Sequence, residues 1–150
     1  MNKQTERILN HLDCSVHQYR GVYCYWAKKY GVSYNEMLVL YVLREYGFCT
    51  QKQVCDRYLV PRQTINNVIA RLRNDGLLEV SPSLNIGREK AFVLTKKGSA
   101  HFSDFITSMN TVEETAVELL GEDKMLLMTQ LIGEYNSILK KSVQQYINKK

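Results

Sequence analysis

The apolar positions of the chain follow a helical period through its first half, with helix start and stop signals between the segments. Apolar side chains recur at three- and four-residue steps up to Trp26, which predicts an amphipathic helix ending at Gly31. Ser33 and Glu36 form an S-x-x-E capping box, which predicts the start of a second helix. We expect that helix to end at Gly47.

Two further helices are predicted close together. Thr50 and Gln53 form a T-x-x-Q capping box, so a short third helix should run to about Tyr58. Pro61 suits the first turn of a fourth helix, and Gly76 ends its apolar stripe. Two helices joined by so short a connection are typical of a helix-turn-helix.

The period changes after Gly76. Residues 77–80 and 91–94 favour strands, and the segment between them is rich in turn-forming residues. Strand, polar turn and strand predict a β-hairpin. A hairpin that directly follows a helix-turn-helix is the wing of a winged helix.

The last third returns to a helical pattern. Thr95 can cap a helix that begins at Lys96, and a final helix begins after Gly121. The pattern leaves open whether the first of these helices is continuous past Asn110. We predict one domain over residues 1–150, mainly α, with a small two-stranded wing. We divide it into a winged-helix unit over about 33–98 and helical segments over about 1–30 and 99–150.

The positive charge of the protein is concentrated in one segment. The formal net charge is +5, and residues 50–98 hold nine basic and four acidic residues, so that segment carries the whole excess. Such a concentration is typical of a module that binds a polyanion. No run of about 18 apolar residues and no secretory signal pattern is present, so we expect a cytoplasmic protein with no membrane association.

The fourth helix is the predicted recognition helix. If Ile65, Val68 and Leu72 face the core, polar side chains face outward near the start of the helix, the end that reaches bases in the major groove. Arginine pairs with guanine edges, and Asn and Gln pair with adenine edges. The predicted base contacts are Arg62, Gln63, Asn66 and Asn67.

The wing and the surrounding cations supply the remaining predicted DNA contacts. Arg88 lies at or near the wing tip and can enter a minor groove, with Asn85 and Lys90 as supporting contacts. Phosphate contacts position a protein on DNA without reading its sequence. The predicted phosphate ligands are Lys52, Arg71, Arg73 and Lys96, together with Gln51 and Thr64 through neutral hydrogen bonds.

Other classes of protein receive little support. The chain has no glycine-rich phosphate loop, GxSxG, HExxH or clustered carboxylates, so we predict no enzyme, catalytic residue or cofactor. Its four cysteines, Cys14, Cys24, Cys49 and Cys55, fit no zinc-ribbon spacing and are interpreted as free thiols. Cys14 and His17 provide two potential ligands on one helix, fewer than the four that zinc requires, so no metal site is predicted.

The order of these elements and three short motifs resemble the MarR family of bacterial regulators, over nearly the whole chain. The motifs are TINNVIARL at 64–72, DGLL at 75–78 and LTKKG at 94–98. The wing departs from the family's Asp-x-Arg cluster, keeping only Arg88, and the recognition helix begins with Pro61 and Arg62 rather than a small hydroxyl residue. The resemblance implies a DNA-binding unit at about 33–98 and a homodimer formed by dimerisation helices at about 1–30 and 99–150, on a pseudo-palindromic operator. It also implies an effector pocket where the dimer helices meet the DNA-binding unit.

These observations predict a sequence-specific transcription regulator, a repressor released by a small molecule or a stress signal. Tyr19, Tyr23 and Trp26 share one helix face and form the predicted pocket for a small aromatic effector, or else part of the dimer core. The alternatives are a metal- or thiol-responsive regulator and a winged helix that binds proteins or coats DNA. The sequence leaves open the effector, the operator, the target genes, repression or activation, and any redox role of the cysteines.

Overall fold

The computed structural model describes residues 1–148. The predicted C-terminal dimerisation region extends to residue 150, so its last two residues lie outside the described part. Contacts divide the chain into two compact units, Met1–Phe105 and Ile106–Lys150. In order, the elements are α1 (Lys3–Lys29), α2 (Tyr34–Tyr46), β1 (Cys49–Thr50), α3 (Gln51–Tyr58), α4 (Arg62–Asn74), β2 (Leu78–Val80), a 3₁₀ turn (Pro82–Leu84), β3 (Ala91–Leu94), α5 (Lys96–Leu120) and α6 (Glu122–Ile147).

Both predicted capping boxes are present. The Ser33 N–H donates to Glu36 Oε2 at 2.8 Å, and the Glu36 N–H donates to Ser33 Oγ at 3.3 Å. The Thr50 N–H donates to Gln53 Oε1 at 2.7 Å, and the Gln53 N–H donates to Thr50 Oγ1 at 3.1 Å. Each reciprocal pair satisfies two backbone donors that a helix start otherwise leaves free, which fixes the first residues of α2 and α3.

The predicted winged-helix fold is confirmed, but the sheet is larger than expected. The wing hairpin, β2 and β3, gains a third antiparallel strand, β1, in the order β1-β3-β2. The strand β1 was not predicted because two residues, Cys49 and Thr50, are too few to show a strand period. A smaller correction concerns Pro61, which is the N-cap of α4 rather than a residue of its first turn.

The first unit encloses the hydrophobic core. The helix α2 is largely buried on all sides except at its C-terminal end. The helix α4 contributes Ile65 and Leu72 to the core, and α5 contributes Phe102 and Phe105. Thr95 caps α5 as predicted, because its Oγ1 accepts the Gly98 N–H at 2.9 Å. This arrangement holds the wing and the recognition helix on one framework.

The second unit consists of the later part of α5 and α6. The helix α5 is continuous past Asn110 to Leu120, which resolves the question that the apolar pattern left open. No residue of α6 is buried within the single chain, although many of its side chains are large and apolar. Its exposed apolar residues are Leu126, Leu127, Met128, Leu131, Ile132, Tyr135, Ile138, Leu139, Val143, Tyr146 and Ile147.

None of the helices within residues 1–148 combines the length and apolar character that crossing a membrane requires.

Candidate DNA-binding surface

The recognition helix α4 has one buried and one exposed side. Ile65, Val68, Ile69 and Leu72 are buried. Its predicted base-reading residues, Arg62, Gln63, Asn66 and Asn67, are all exposed. The division between the two faces is therefore the one that the apolar period indicated.

The amide side chains of this face are partly ordered by each other. Gln63 Nε2 donates to Asn67 Oδ1 at 2.8 Å, across one helical turn. This bond leaves the carbonyl oxygen of Gln63 and the NH₂ group of Asn67 directed to other partners. Thr64 is half-buried and lines a depression of about 360 Å³ with Asn35, Asn67 and Arg71.

Arg71, a predicted phosphate ligand, has a partner inside the protein. Its Nη2 lies 2.7 Å from Oε1 of Glu36, whose side chain is only 8% exposed. The same carboxylate accepts the Ser33 N–H in the capping box, so one residue connects α2 to α4. About half of the Arg71 side chain stays exposed, and its contact with DNA stays a prediction.

The wing turn is fixed by hydrogen bonds around Gly87. The Glu89 N–H donates to the Ile86 carbonyl at 3.0 Å, and the Ile86 N–H donates to the Glu89 carbonyl at 3.1 Å. Gly87 has a φ of 58°, in the left-handed region that a glycine adopts at little cost. Arg88 is exposed at this tip, in the position predicted for a minor-groove contact.

Asn85 has a structural role within the wing. Its Oδ1 accepts the Ala91 N–H at 2.9 Å, which connects the two sides of the hairpin. Its NH₂ group has two donors in addition. The predicted supporting contact with DNA therefore involves that group, and it stays a prediction.

A cleft of about 370 Å³ separates the recognition helix from the wing. The residues that line it on the helix side include Arg62, Asn66 and Arg73, and those on the wing side include Arg88, Glu89 and Lys90. Gln51, a predicted phosphate ligand, donates from Nε2 to the Arg62 carbonyl at 2.8 Å instead of projecting freely. The Arg73 guanidinium lies 5.8 Å from the centre of the Phe92 ring.

One residue of this cleft was not predicted from the sequence. Glu89 Oε1 lies 3.1 Å from Nη2 of Arg62, and so joins the wing to the first residue of the recognition helix. A carboxylate in a basic wing carries no sequence signal for such a contact, because the partner is 27 residues away.

The remaining predicted phosphate ligands differ in their surroundings. Lys52 is paired with Asp56 one turn along α3, and the hydrogen bond to that carboxylate raises the pKa of the Lys52 ammonium. Lys96 is exposed at the first position of α5. To contact a phosphate, the Lys52 ammonium therefore has to leave the Asp56 carboxylate.

The predicted effector face on α1 is an aromatic cluster. Ring centres of Tyr19 and Tyr23 are 4.9 Å apart, those of Tyr23 and Trp26 are 6.2 Å apart, and Trp26 lies 5.1 Å from Phe105. Tyr23 and Trp26 are half-buried, whereas Tyr19 is largely exposed. The three residues share one face as predicted, and their contacts are mainly with other rings.

A separate cavity of about 480 Å³ reaches α1 at Arg20, and Tyr19, Tyr23 and Trp26 are not among the residues that line it. It is lined by residues from α1, α2, the end of α3, the α3–α4 connection and α4, among them Arg20, Tyr34, Leu38, Tyr58 and Pro61. The Arg20 guanidinium lies 4.8 Å from the centre of the Tyr34 ring, and burial raises the pKa of the Tyr34 hydroxyl. This cavity was not predicted because residues from four helices and one connection build it.

The cysteines are four free thiols in the structure. Cys49 and Cys55 are buried, Cys24 is half-buried and Cys14 is exposed. Burial raises the pKa of Cys49 to about 12 and raises that of Cys55 as well. Within residues 1–148, no three His, Cys, Asp or Glu side chains are grouped closely enough to hold a metal ion.

Residues 30–89, which contain α2, α3, α4 and most of the wing, match the model of the MarR family. No curated protein matches the sequence significantly. Among solved structures, NMB1585, a MarR family regulator from Neisseria meningitidis, has 22% identity and a TM-score of 0.82, covering 97% of this chain and 99% of its own.

Two further structures share the fold at lower similarity. BpsR of Bordetella bronchiseptica, described with regulation of its DNA binding by 6-hydroxynicotinic acid, has 18% identity and a TM-score of 0.65, covering 87% of this chain and 98% of its own. MarR of Staphylococcus aureus, in complex with salicylate and kanamycin, has 18% identity and a TM-score of 0.67, covering 92% and 93%. At these identities the likeness shows a common fold.

Proposed function

We propose that this chain, a winged-helix protein of the MarR family, is a cytoplasmic transcription regulator that binds double-stranded DNA sequence-selectively as a homodimer. Proteins of this family are transcription regulators and not enzymes. The observation that carries the proposal is the exposed polar face of α4, with Arg62, Asn66 and Asn67 beside a cleft lined by cations.

The residues on and around the cleft fall into two chemical groups that support separate tasks. On α4, one arginine and three amide side chains offer the paired donors and acceptors that distinguish guanine and adenine edges. Arg73, Arg88 and Lys90 offer positive charge, which suits phosphates and the minor groove. Sequence selection is therefore assigned to Arg62 and the three amide side chains of α4, and most of the non-specific affinity to Arg73, Arg88 and Lys90.

Selection of bound duplexes from a random pool tests this function. We expect enrichment of one motif with two-fold symmetry, because each protomer of a dimer presents the same recognition helix. A competition assay with unrelated DNA separates a selective regulator from a protein that merely coats DNA. A pool that stays random after repeated rounds, with equal competition by every duplex, contradicts the proposal and favours the DNA-coating alternative.

The dimer is supported by the apolar surface that the single chain leaves uncovered. Eleven large apolar side chains of α6 are exposed, and Ile8, Val16 and Val22 are exposed on α1. Soluble proteins rarely expose contiguous apolar surface of this kind unless a partner covers it. A second copy of the chain is the partner that a two-fold operator also requires.

Release by a small molecule is the regulatory part of the proposal. The relatives from B. bronchiseptica and S. aureus are described with small aromatic acids, and here the cavity beside α1 combines an arginine with aromatic and apolar walls. A guanidinium and a ring suit a carboxylate on an aromatic ligand. The ligand acts only if it binds the DNA-free conformation more tightly than the DNA-bound one.

Salicylate-like aromatic acids at low millimolar concentration, and mild peroxide in parallel, should be tested for release of the selected DNA. Release that is lost in Arg20→Met assigns the acid to the cavity, whereas release that is lost in Tyr23→Ala assigns it to the aromatic face of α1. In either case release should persist when all four cysteines become serine. Lys28→Met is the matched control, because it removes one positive charge from the exposed surface of α1 at a residue that does not line the cavity. The opposite pattern assigns sensing to the thiols.

Burial reduces the number of cysteines that could act as a redox sensor. A thiolate is the reactive form of cysteine, and the raised pKa values keep Cys49 and Cys55 protonated at neutral pH. Cys14, exposed on α1, is therefore the most accessible candidate. Peroxide release that Cys14→Ser abolishes would favour the thiol alternative over the aromatic site.

A further inference from the structure

The first residue of the recognition helix is held from two directions. Its backbone carbonyl accepts a hydrogen bond from Gln51 Nε2 at 2.8 Å, and its guanidinium Nη2 donates to Glu89 Oε1 at 3.1 Å. Arg62 is 67% exposed and Glu89 is 32% exposed, so the ion pair lies at the mouth of the cleft. The pair faces the DNA in the complex proposed above.

The carboxylate is itself fixed by the wing. Reciprocal backbone hydrogen bonds between Ile86 and Glu89 close the tight turn around Gly87, and Glu89 lies at the base of that turn. Because the backbone of Glu89 is fixed, its carboxylate can follow Arg62 only over a short distance. The wing therefore limits where the guanidinium can go.

The position of this carboxylate is costly for DNA binding in general. Among the described residues that line the cleft, Glu89 is the one acid beside the cations Arg62, Arg73, Arg88 and Lys90. It cancels one positive charge and repels phosphates that enter the cleft. A surface selected only for affinity would not place it there.

From these observations, and resting on the proposed function, we infer that Glu89 is a specificity-determining residue that holds Arg62 toward a base edge and opposes its use on phosphates. A guanidinium has five N–H donors, so the bond from Nη2 to Glu89 leaves the others for a guanine. In a non-specific complex, Arg62 must turn to a phosphate, which breaks the ion pair and leaves an unpaired carboxylate near the backbone. The penalty falls on the wrong sequences more than on the right one.

The test compares Glu89→Gln, which removes the charge and keeps the shape, with Glu79→Gln. Glu79 is exposed on β2 and is not among the residues that line the cleft, so its change alters the net charge equally without touching Arg62. Affinities of full-length protein for the selected duplex and for random duplex are measured over a range of salt concentrations. Circular dichroism of each variant verifies that it is folded.

We expect Glu89→Gln to tighten binding to random DNA by about threefold or more and to steepen its salt dependence by about one released counterion. Binding to the selected duplex should stay equal or weaken, so the ratio of the two affinities falls. Glu79→Gln should leave that ratio unchanged. In an Arg62→Ala background, Glu89→Gln should no longer lower the ratio, because the residue that it positions is absent.

Repeating the selection with Glu89→Gln separates positioning from a general loosening of the wing. Positioning predicts that sequence preference falls at the one base pair per half-site that Arg62 contacts. A loosened wing would reduce preference at several positions, and this result would overturn the inference. An unchanged ratio in Glu89→Gln, with wild-type protein still selective, would overturn the inference alone, whereas wild-type protein without any preference would overturn the proposed function.

Discussion

Nη2 of Arg71 on α4 lies 2.7 Å from Oε1 of Glu36 on α2, and the other carboxylate oxygen of Glu36 accepts the Ser33 N–H at 2.8 Å. One side chain therefore caps α2 and fixes the recognition helix against it. Glu36 is almost fully buried while Arg71 is about half exposed. A buried carboxylate such as that of Glu36 is stabilised only while both of its partners, the Arg71 guanidinium and the Ser33 N–H, are present.

Glu36→Ala should lower the free energy of unfolding by about 1–3 kcal/mol, since it removes the acceptor of the Ser33 N–H and the partner of Arg71 together. Glu36→Gln keeps an oxygen for the Ser33 N–H and should cost about 1 kcal/mol or less. Urea denaturation of both variants measures the difference. Equal losses would mean that the charge, not the cap, carries the effect.

Asn66 and Arg73 line the same cleft, but the base-reading assignment predicts that only Asn66 contributes to sequence preference. Asn66→Ala should weaken binding to the selected duplex by about 1–3 kcal/mol and relax preference at one base position, because an adenine edge loses its paired partner. Binding to random DNA should change little. Equal losses on the two duplexes would refute the assignment.

Arg73→Met should instead weaken binding to all sequences alike and flatten the salt dependence, because a phosphate contact releases counterions without reading bases. Methionine keeps apolar contact with the Phe92 ring, so it isolates the loss of charge. Titrations at several salt concentrations provide the measurement. A loss confined to the selected duplex would make Arg73 a base contact.

At Gly98, α5 approaches the backbone of Leu77, the residue just before β2, closely. A Cβ at this position would lie 2.0 Å from the backbone oxygen of Leu77, which cannot move as a side chain could. Gly98→Ala should therefore lower the free energy of unfolding by about 1–3 kcal/mol or more. Gly21→Ala is the control, because its Cβ meets nothing within 4 Å and alanine favours a helix by about 0.5–1 kcal/mol. Equal changes in the thermal unfolding temperature of the two variants would contradict the close approach.

If α6 forms the dimer interface, a charge introduced on its apolar side should weaken the dimer more than the same charge at an adjacent polar position. Ile138→Glu should raise the dimer dissociation constant by about tenfold or more, equivalent to about 1.4 kcal/mol, whereas Ser137→Glu should have a small effect. Deleting residues 137–150 should impair dimerisation and DNA binding together. Analytical ultracentrifugation and DNA titration measure both, and a monomeric truncation that binds the selected duplex with full affinity would contradict the dimer.

The sequence by itself determined where α2 and α3 begin and which face of the recognition helix is buried. The capping boxes at Ser33–Glu36 and Thr50–Gln53 act between residues three apart, so their residue types alone indicate where α2 and α3 begin. The buried side of α4 follows from its apolar period in the same way. These features are local, and local features can be read from neighbouring residues.

Only the tertiary structure decided which partners the charged residues have. Arg71 with Glu36, Arg62 with Glu89 and β1 beside β3 all join segments that are far apart in the chain. Both arginines were assigned to DNA from the sequence, because an exposed cation gives no sign of a distant carboxylate. Such pairs depend on the fold bringing separate elements within a few ångströms, and that distance is not encoded in the spacing of neighbouring residues.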